Sequence, residues 1–143
     1  MSPSPFPRRR RRPPLLLLSM ALLALAGTGG AASAKTVSSE NIVSPGKRIS
    51  CWAVVRSTEI ECTAPYLPDI GELDTYLAVR SRGIARLAER GDFPGFNTPA
   101  RTLHYGDTWK RPGIRCTMSR TALTCRNRDG HGFHIERGHV RRF

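Results

Sequence analysis

Four cysteines stand in two copies of one pattern, and that pattern limits the folds open to this chain more than any other feature. ISCWAVVRSTEIECT (residues 49–63) and IRCTMSRTALTCR (114–126) both read Ile, any residue, Cys, a polar turn, an aliphatic residue, any residue, Cys. Side chains alternate along a strand, so residues two apart share a face. Folding each stretch back with its cysteines opposed pairs Ala53 with Ile60 around Arg56-Ser57, and Met118 with Leu123 around Arg120-Thr121. In both registers the apolar side chains gather on the cysteine face. Four cysteines alone allow three pairings; this hairpin reading selects Cys51–Cys62 and Cys116–Cys125. Loops this short add about 2 to 3 kcal/mol per bridge in the chain-entropy account. Neither turn has the Asn-Gly or Gly-containing chemistry of a favoured two-residue hairpin, so looser loops with shifted pairing stay open.

The amino end reads as an export signal. Arg8 to Arg12 form a positive segment, Leu15 to Ala26 an apolar run, and Ala32-Ser33-Ala34 a small-residue cleavage pattern, which places the signal at 1–34. The apolar run is shorter than the roughly 20 residues a membrane-crossing helix needs, so no anchor is expected after cleavage. The arginines fit twin-arginine export loosely, and the general secretory route is the expected one. Residues 35–143 then form a single β-rich domain, secreted or held at the cell envelope, where an even cysteine count reads as disulfides.

Charge is divided unevenly along this domain. Residues 35–100 carry eight Lys/Arg against eight Asp/Glu, whereas residues 101–143 carry ten against three. The excess belongs to the last third of the chain, which points to a partner of opposite sign.

The middle of the chain supports two readings. In PDIGELDTYLAVRSRGIARLAERGDFPG (68–95), Asp69 and Glu72 make a capping-box pattern, and Leu73, Tyr76, Leu77, Ile84, Leu87 and Ala88 fall on one helical face, giving an α+β alternative with one helix near residues 70–90. Gly83 after Ser81-Arg82 instead suggests two strands about a turn. Beyond, Pro94, Gly95, Pro99 and Gly106 punctuate a loop entering a strand.

The segments VSPGKRISC, EIEC, TLHYGDTW, GIRC, LTC and GHGF, taken in order over residues 43–142, resemble a family of small secreted bacterial domains of unknown function. Its pattern runs Ser-Pro, an Ile-x-Cys strand, a Leu-x-Tyr-Gly segment and a Gly-His-Gly-Phe close. The resemblance implies a mainly β, disulfide-stapled domain of antiparallel hairpins, with strands rather than a helix in the middle. Many members carry a further cysteine pair in that middle; this chain lacks it. No activity comes with the resemblance.

GHGFHIERGHV (130–140) holds three of the four histidines. Zinc needs three or four convergent donors, and the odd offsets of His131, His134 and His139 divide them between the faces of one strand, so neither metal nor cofactor is expected. His134, Glu136, Arg137 and His139 supply the acid, base and phosphate-binding types of a metal-independent ribonuclease or phosphodiesterase. Alternation puts His134 and Glu136 on one face and Arg137 and His139 on the other unless a bulge at Gly138 turns the chain, leaving His104 to complete the site across the sheet. Phe133 reads as a core residue, and Asp107 and Asp129 as turn residues beside glycine.

Binding is the more economical function. Lys110, Arg111, Arg115, Arg126, Arg128, Arg137, Arg141 and Arg142 form one basic stripe if the last hairpin and final strand are neighbours, with Tyr105, Trp109 and Phe143 near enough to stack on sugars or bases. The expected role is non-enzymatic binding of an anionic polymer: an envelope polymer, a polysaccharide or nucleic acid. The alternatives are the metal-independent nuclease and a structural surface protein whose charge only aids solubility.

Overall fold

The computed structural model describes residues 33–54, 57–91 and 99–143. The export signal at 1–34, apart from Ser33 and Ala34, lies outside these residues, as do Arg56 of the first hairpin turn and the Pro94-Gly95 punctuation. The described residues form strands and no helix: β1 (Thr36–Val37), β2 (Asn41–Val43), β3 (Ser50–Ala53), β4 (Glu59–Thr63), β5 (Asp74–Arg80), β6 (Arg86–Arg90), β7 (Arg101–Thr102), β8 (Thr108–Arg111), β9 (Ile114–Met118), β10 (Ala122–Asn127), β11 (Gly132–Glu136) and β12 (His139–Arg142).

Both hairpin registers read from the cysteines are present. Cys51 opposes Cys62 and Ala53 opposes Ile60; Cys116 opposes Cys125 and Met118 opposes Leu123. Both bridges are formed and no cysteine is free. The second turn closes without glycine because Ser119 does the work. Its hydroxyl accepts from the Ala122 N–H at 2.9 Å, and its own N–H donates to the Ala122 carbonyl at 2.8 Å.

The strands make two sheets, ordered β6-β5-β4-β3-β2-β7 and β1-β8-β9-β10-β11-β12. We call them the amino and carboxyl sheets. Five consecutive strands of each run as an antiparallel meander, β2 to β6 and β8 to β12. The remaining place in each sheet is filled from the other half of the chain, and in parallel: β1 lies beside β8, and β7 beside β2. These exchanged edges add parallel pairs to what hairpins alone would make antiparallel throughout.

The two halves repeat each other well beyond the cysteine stretches. Ile60 faces Val79 and Cys62 faces Leu77 in one sheet; Leu123 faces Ile135 and Cys125 faces Phe133 in the other. All eight belong to a single buried cluster with Ile42, Cys51, Trp109 and Cys116, so the sheets share one apolar core as a β-sandwich.

The helix near residues 70–90 is not formed; β5 and β6 occupy that stretch. Tyr76, Leu77, Ala78 and Val79 are all buried, with Leu77 and Val79 in the shared core and Tyr76 and Ala78 against Trp52 and Ala88 on the outer side. A strand covered on both faces loses its two-residue period, and its continuous apolar run then mimics a helical face. Gly83 makes the turn at φ 82°, a region that favours glycine.

A polar staple locks the two meanders together. The buried Asn127 amide donates to the Arg80 carbonyl at 3.1 Å and to the Gly83 carbonyl at 2.7 Å, while its Oδ1 accepts from the N–H groups of Asp129 and His131, both at 3.0 Å. Asp129 adds bonds to Arg82 at 3.0 Å and to the Gly83 N–H at 2.9 Å, so it ties the halves together as well as serving its own turn. Asn127→Ala leaves two inter-half carbonyls without their donor and is expected to cost about 2 kcal/mol. Urea unfolding of oxidised protein measures this, and a loss below about 0.5 kcal/mol would show that the staple contributes little.

Candidate anion-binding face

Because β9 and β10 point their cysteines inward, the residues between must point outward. Arg115 and Arg126 are such residues, and they stand directly opposite each other; Lys110 of β8 stands opposite Arg115. Three exposed cations therefore lie in one row across three neighbouring strands. At roughly 4.8 Å per strand the row is about 10 Å long, comparable to the Debye length at physiological salt, so its three charges act as one patch.

At the end of the sheet Arg128 and Arg111, the latter opposite the buried Ile114, lie beside this row. Lys110, Arg111, Arg115, Arg126 and Arg128 surround an open depression of ≈ 290 Å³ whose other lining residues are Gly113, Ile114 and Asn127. The ion pairs found among the described residues involve none of these five.

The row continues past β10 to Gly132, opposite Arg126, and from there to Phe143, whose N–H and carbonyl exchange hydrogen bonds with Gly132. A Cβ at Gly132 would fall 1.9 Å from the Cys125 carbonyl oxygen, so only glycine allows the strands to approach here. The Phe143 ring lies under the guanidinium groups of both Arg126 and Arg141, at 4.8 and 5.2 Å from its centroid. Phe133, the other aromatic of the GHGF motif, is fully buried.

Not every residue of the proposed stripe takes its place in it. Arg142 opposes Phe133 and so sits on the core side of the edge strand β12. Arg137 occupies the β11–β12 turn at the other end of the sandwich, among Arg48, Arg120, Tyr66 and Tyr105. Trp109 does not stack outward, because it opposes Cys116 and therefore points inward; it is 1 % exposed and its indole N–H donates to the Ser39 carbonyl at 2.7 Å. Tyr105 is exposed but belongs to the Arg137 end.

The outer face of the amino sheet is built differently. Glu59 and Glu61 are 5 % and 3 % exposed. Arg80 and Arg86 both pair with Glu59, Arg90 pairs with Glu61 at 2.6 Å, and the Trp52 indole N–H donates to Glu61 at 2.9 Å. Here the arginines are held by carboxylates, which explains why the balanced half of the sequence makes a balanced face.

The histidine stretch also comes together on the outer face of the carboxyl sheet. The separation of His134 and Glu136 from His139 predicted by alternation does not hold, since β11 and β12 are two strands joined at Arg137-Gly138, with Gly138 at φ 78°. His139 consequently opposes Glu136, and Arg141 opposes His134. Thr124 Oγ1 lies 2.9 Å from His134 Nδ1, and His134 Nε2 lies 3.3 Å from Glu136 Oε2. The His134 and His139 rings meet edge to face with centroids 6.1 Å apart. The hydrogen bond to His134, reinforced by one to Thr121, holds the Glu136 carboxyl below its ordinary value. His104 takes no part; it sits in the turn before β8, where its N–H and that of Lys35 both donate to the buried Asp107 carboxylate.

Among the described residues no group of three or more His, Cys, Asp or Glu is arranged to hold a metal ion. None of their helices is long and apolar enough to cross a membrane, since they contain none.

These features define a class: small two-sheet sandwiches with one disulfide across a hairpin in each half. Residues 72–143 match a family of unknown function (DUF6636), and the chain belongs to that family. The match spans β5 to β12, and thus the whole basic face. No curated protein and no solved structure matches the chain.

Burial pushes the Glu61 carboxyl above its ordinary value of 4.5, with Arg90 and Trp52 pulling it back. The folded state then binds this proton more tightly than the unfolded chain does, so its contribution to stability is full below 4.5 and is lost as pH rises through the raised folded value. Glu61→Gln should remove that component. Unfolding measured from pH 7 down to pH 4 is expected to favour wild type over the variant increasingly toward acid, and parallel pH curves would refute the assignment.

Proposed function

We propose that this protein is a non-enzymatic, extracellular or envelope-associated binder of an anionic polymer, which it grips on the outer face of its carboxyl sheet. The observation that carries this reading is the row Lys110, Arg115, Arg126. Like charges directly opposite across strands destabilise a sheet, each pair by a few tenths to about 1 kcal/mol. Incidental charge kept for solubility needs no such alignment, which argues against a purely structural surface role. Guanidinium groups suit phosphate, sulfate and carboxylate alike, and Phe143 between Arg126 and Arg141 offers a ring beside them.

Arg115→Gln is expected to move two quantities in opposite directions. Stability rises by about 0.5 kcal/mol as two repulsions are relieved. Heparin binding weakens, and the slope of log K against log salt becomes shallower by about 1. A variant that is destabilised, or that binds heparin with an unchanged slope, would contradict the reading.

The second reading, metal-independent phosphodiester cleavage, draws support from the assembly of Thr124, His134, Glu136, His139 and Arg141 on one face. Glu136, held ionised, would serve as base, a histidine as acid, and Arg141 as phosphate ligand. This reading expects wild type to cut single-stranded RNA in the presence of EDTA and Glu136→Gln to be slower by about 100-fold or more. Identical traces for the two proteins would eliminate it.

A further inference from the structure

We propose that the opposite end of the sandwich carries a second, separate binding site, a pocket for a phosphorylated or sulfated sugar made by Arg48, Arg120 and Arg137 with Tyr66 and Tyr105. These residues come from five connections: the β2–β3 loop, the segment after β4, the turn before β8, the β9–β10 turn and the β11–β12 turn. They line one recess of ≈ 160 Å³ whose lining includes no acidic residue. None of the three arginines takes part in the ion pairs found among the described residues.

Size and donor chemistry select the ligand. A water occupies about 30 Å³, so the recess has room for about five, which suits one oxyanion and part of a ring. Three hydroxyls of the lining are already committed: Ser44 accepts from the Arg48 and Ile49 N–H groups, Ser119 bonds Ala122, and Thr121 bonds the Glu136 carboxylate. The three arginines and two tyrosines are the other polar side chains of the lining, and guanidinium forks match the paired oxygens of phosphate and sulfate. Burial pushes the Tyr66 phenol up while Arg48 and Arg137 draw it down, so it keeps its proton and stays a donor. Tyr105 is 52 % exposed, a ring free to lie against a sugar. Arg137 thus finds its place here rather than in the basic row, and the site stands whether or not the outer face binds a polymer.

The test titrates the oxidised full-length chain with inorganic phosphate and with glucose 6-phosphate at constant ionic strength, following arginine side-chain and tyrosine ring signals by NMR. Saturable shifts are expected at Arg48, Arg120, Arg137 and Tyr66, with the sugar phosphate bound more tightly than phosphate. Arg48→Gln with Arg137→Gln should weaken binding about tenfold or more, whereas Arg101→Glu, an equal change of net charge at an exposed position of β7, should not. Arg120→Gln alone, at a turn tip, serves as a second variant if the double one does not fold. Shifts that fail to saturate, that spread equally over Lys110 and Arg115, or that survive the substitutions would overturn the site. Phosphate binding as tightly as the sugar phosphate would overturn its sugar specificity. Heparin retention by the double variant distinguishes failure here from failure of the outer face.

Discussion

Cys116 stands opposite Cys125 and Cys51 opposite Cys62, and the arrangement of both faces follows from those two oppositions. Strand side chains alternate, so a bridge that turns one residue inward commits its neighbours to the outside. Arg115 and Arg126 are exposed because the cysteines beside them are not. A slip of one residue would send those arginines into the core with Phe133 and Ile135, and the covalent bridge together with the burial of Leu123 and Met118 forbids it. Register, more than composition, makes the basic face.

The same device serves both halves, yet their outer faces diverge. In the amino sheet the outward positions of β4 hold Glu59 and Glu61, which the arginines of β5 and β6 cover and neutralise. In the carboxyl sheet the outward positions of β8, β9 and β10 hold cations with no carboxylate in reach among the described residues. One repeat thus closes its surface with internal ion pairs while the other leaves its charge available to a partner. The exchanged edges β1 and β7 and the Asn127 staple make the two halves depend on one another, so the open face rests on a frame that both build.

Each departure of the structure from the sequence pattern traces to a neighbouring strand. The apolar run of β5 mimics a helical face because Tyr76 and Ala78 pack beside Trp52 and Ala88 on the outer side of their own sheet while Leu77 and Val79 face the shared core. Alternation along one strand puts His139 on the far face, and Gly138, the residue that can turn the chain, makes a full reversal that restores His139 to the side of Glu136. Trp109 stands beside the stripe in sequence, yet the pairing of β8 with β9 sets it opposite Cys116 and so turns it inward. Arg48 and Arg120 read in sequence only as a motif residue and a turn residue, since they lie far apart along the chain and nothing local joins them.

The sequence by itself determined the two bridged hairpins, their registers, the uneven division of charge and the strand character implied by the family resemblance, because these depend on local alternation and on residues a few positions apart. Only the tertiary structure decided which arginines share a surface, that β1 and β7 cross between halves, and that His139 and Arg141 join His134. Those outcomes depend on which strands become neighbours, and strand neighbours are chosen by burial of a common core from distant parts of the chain, a choice that no local pattern records.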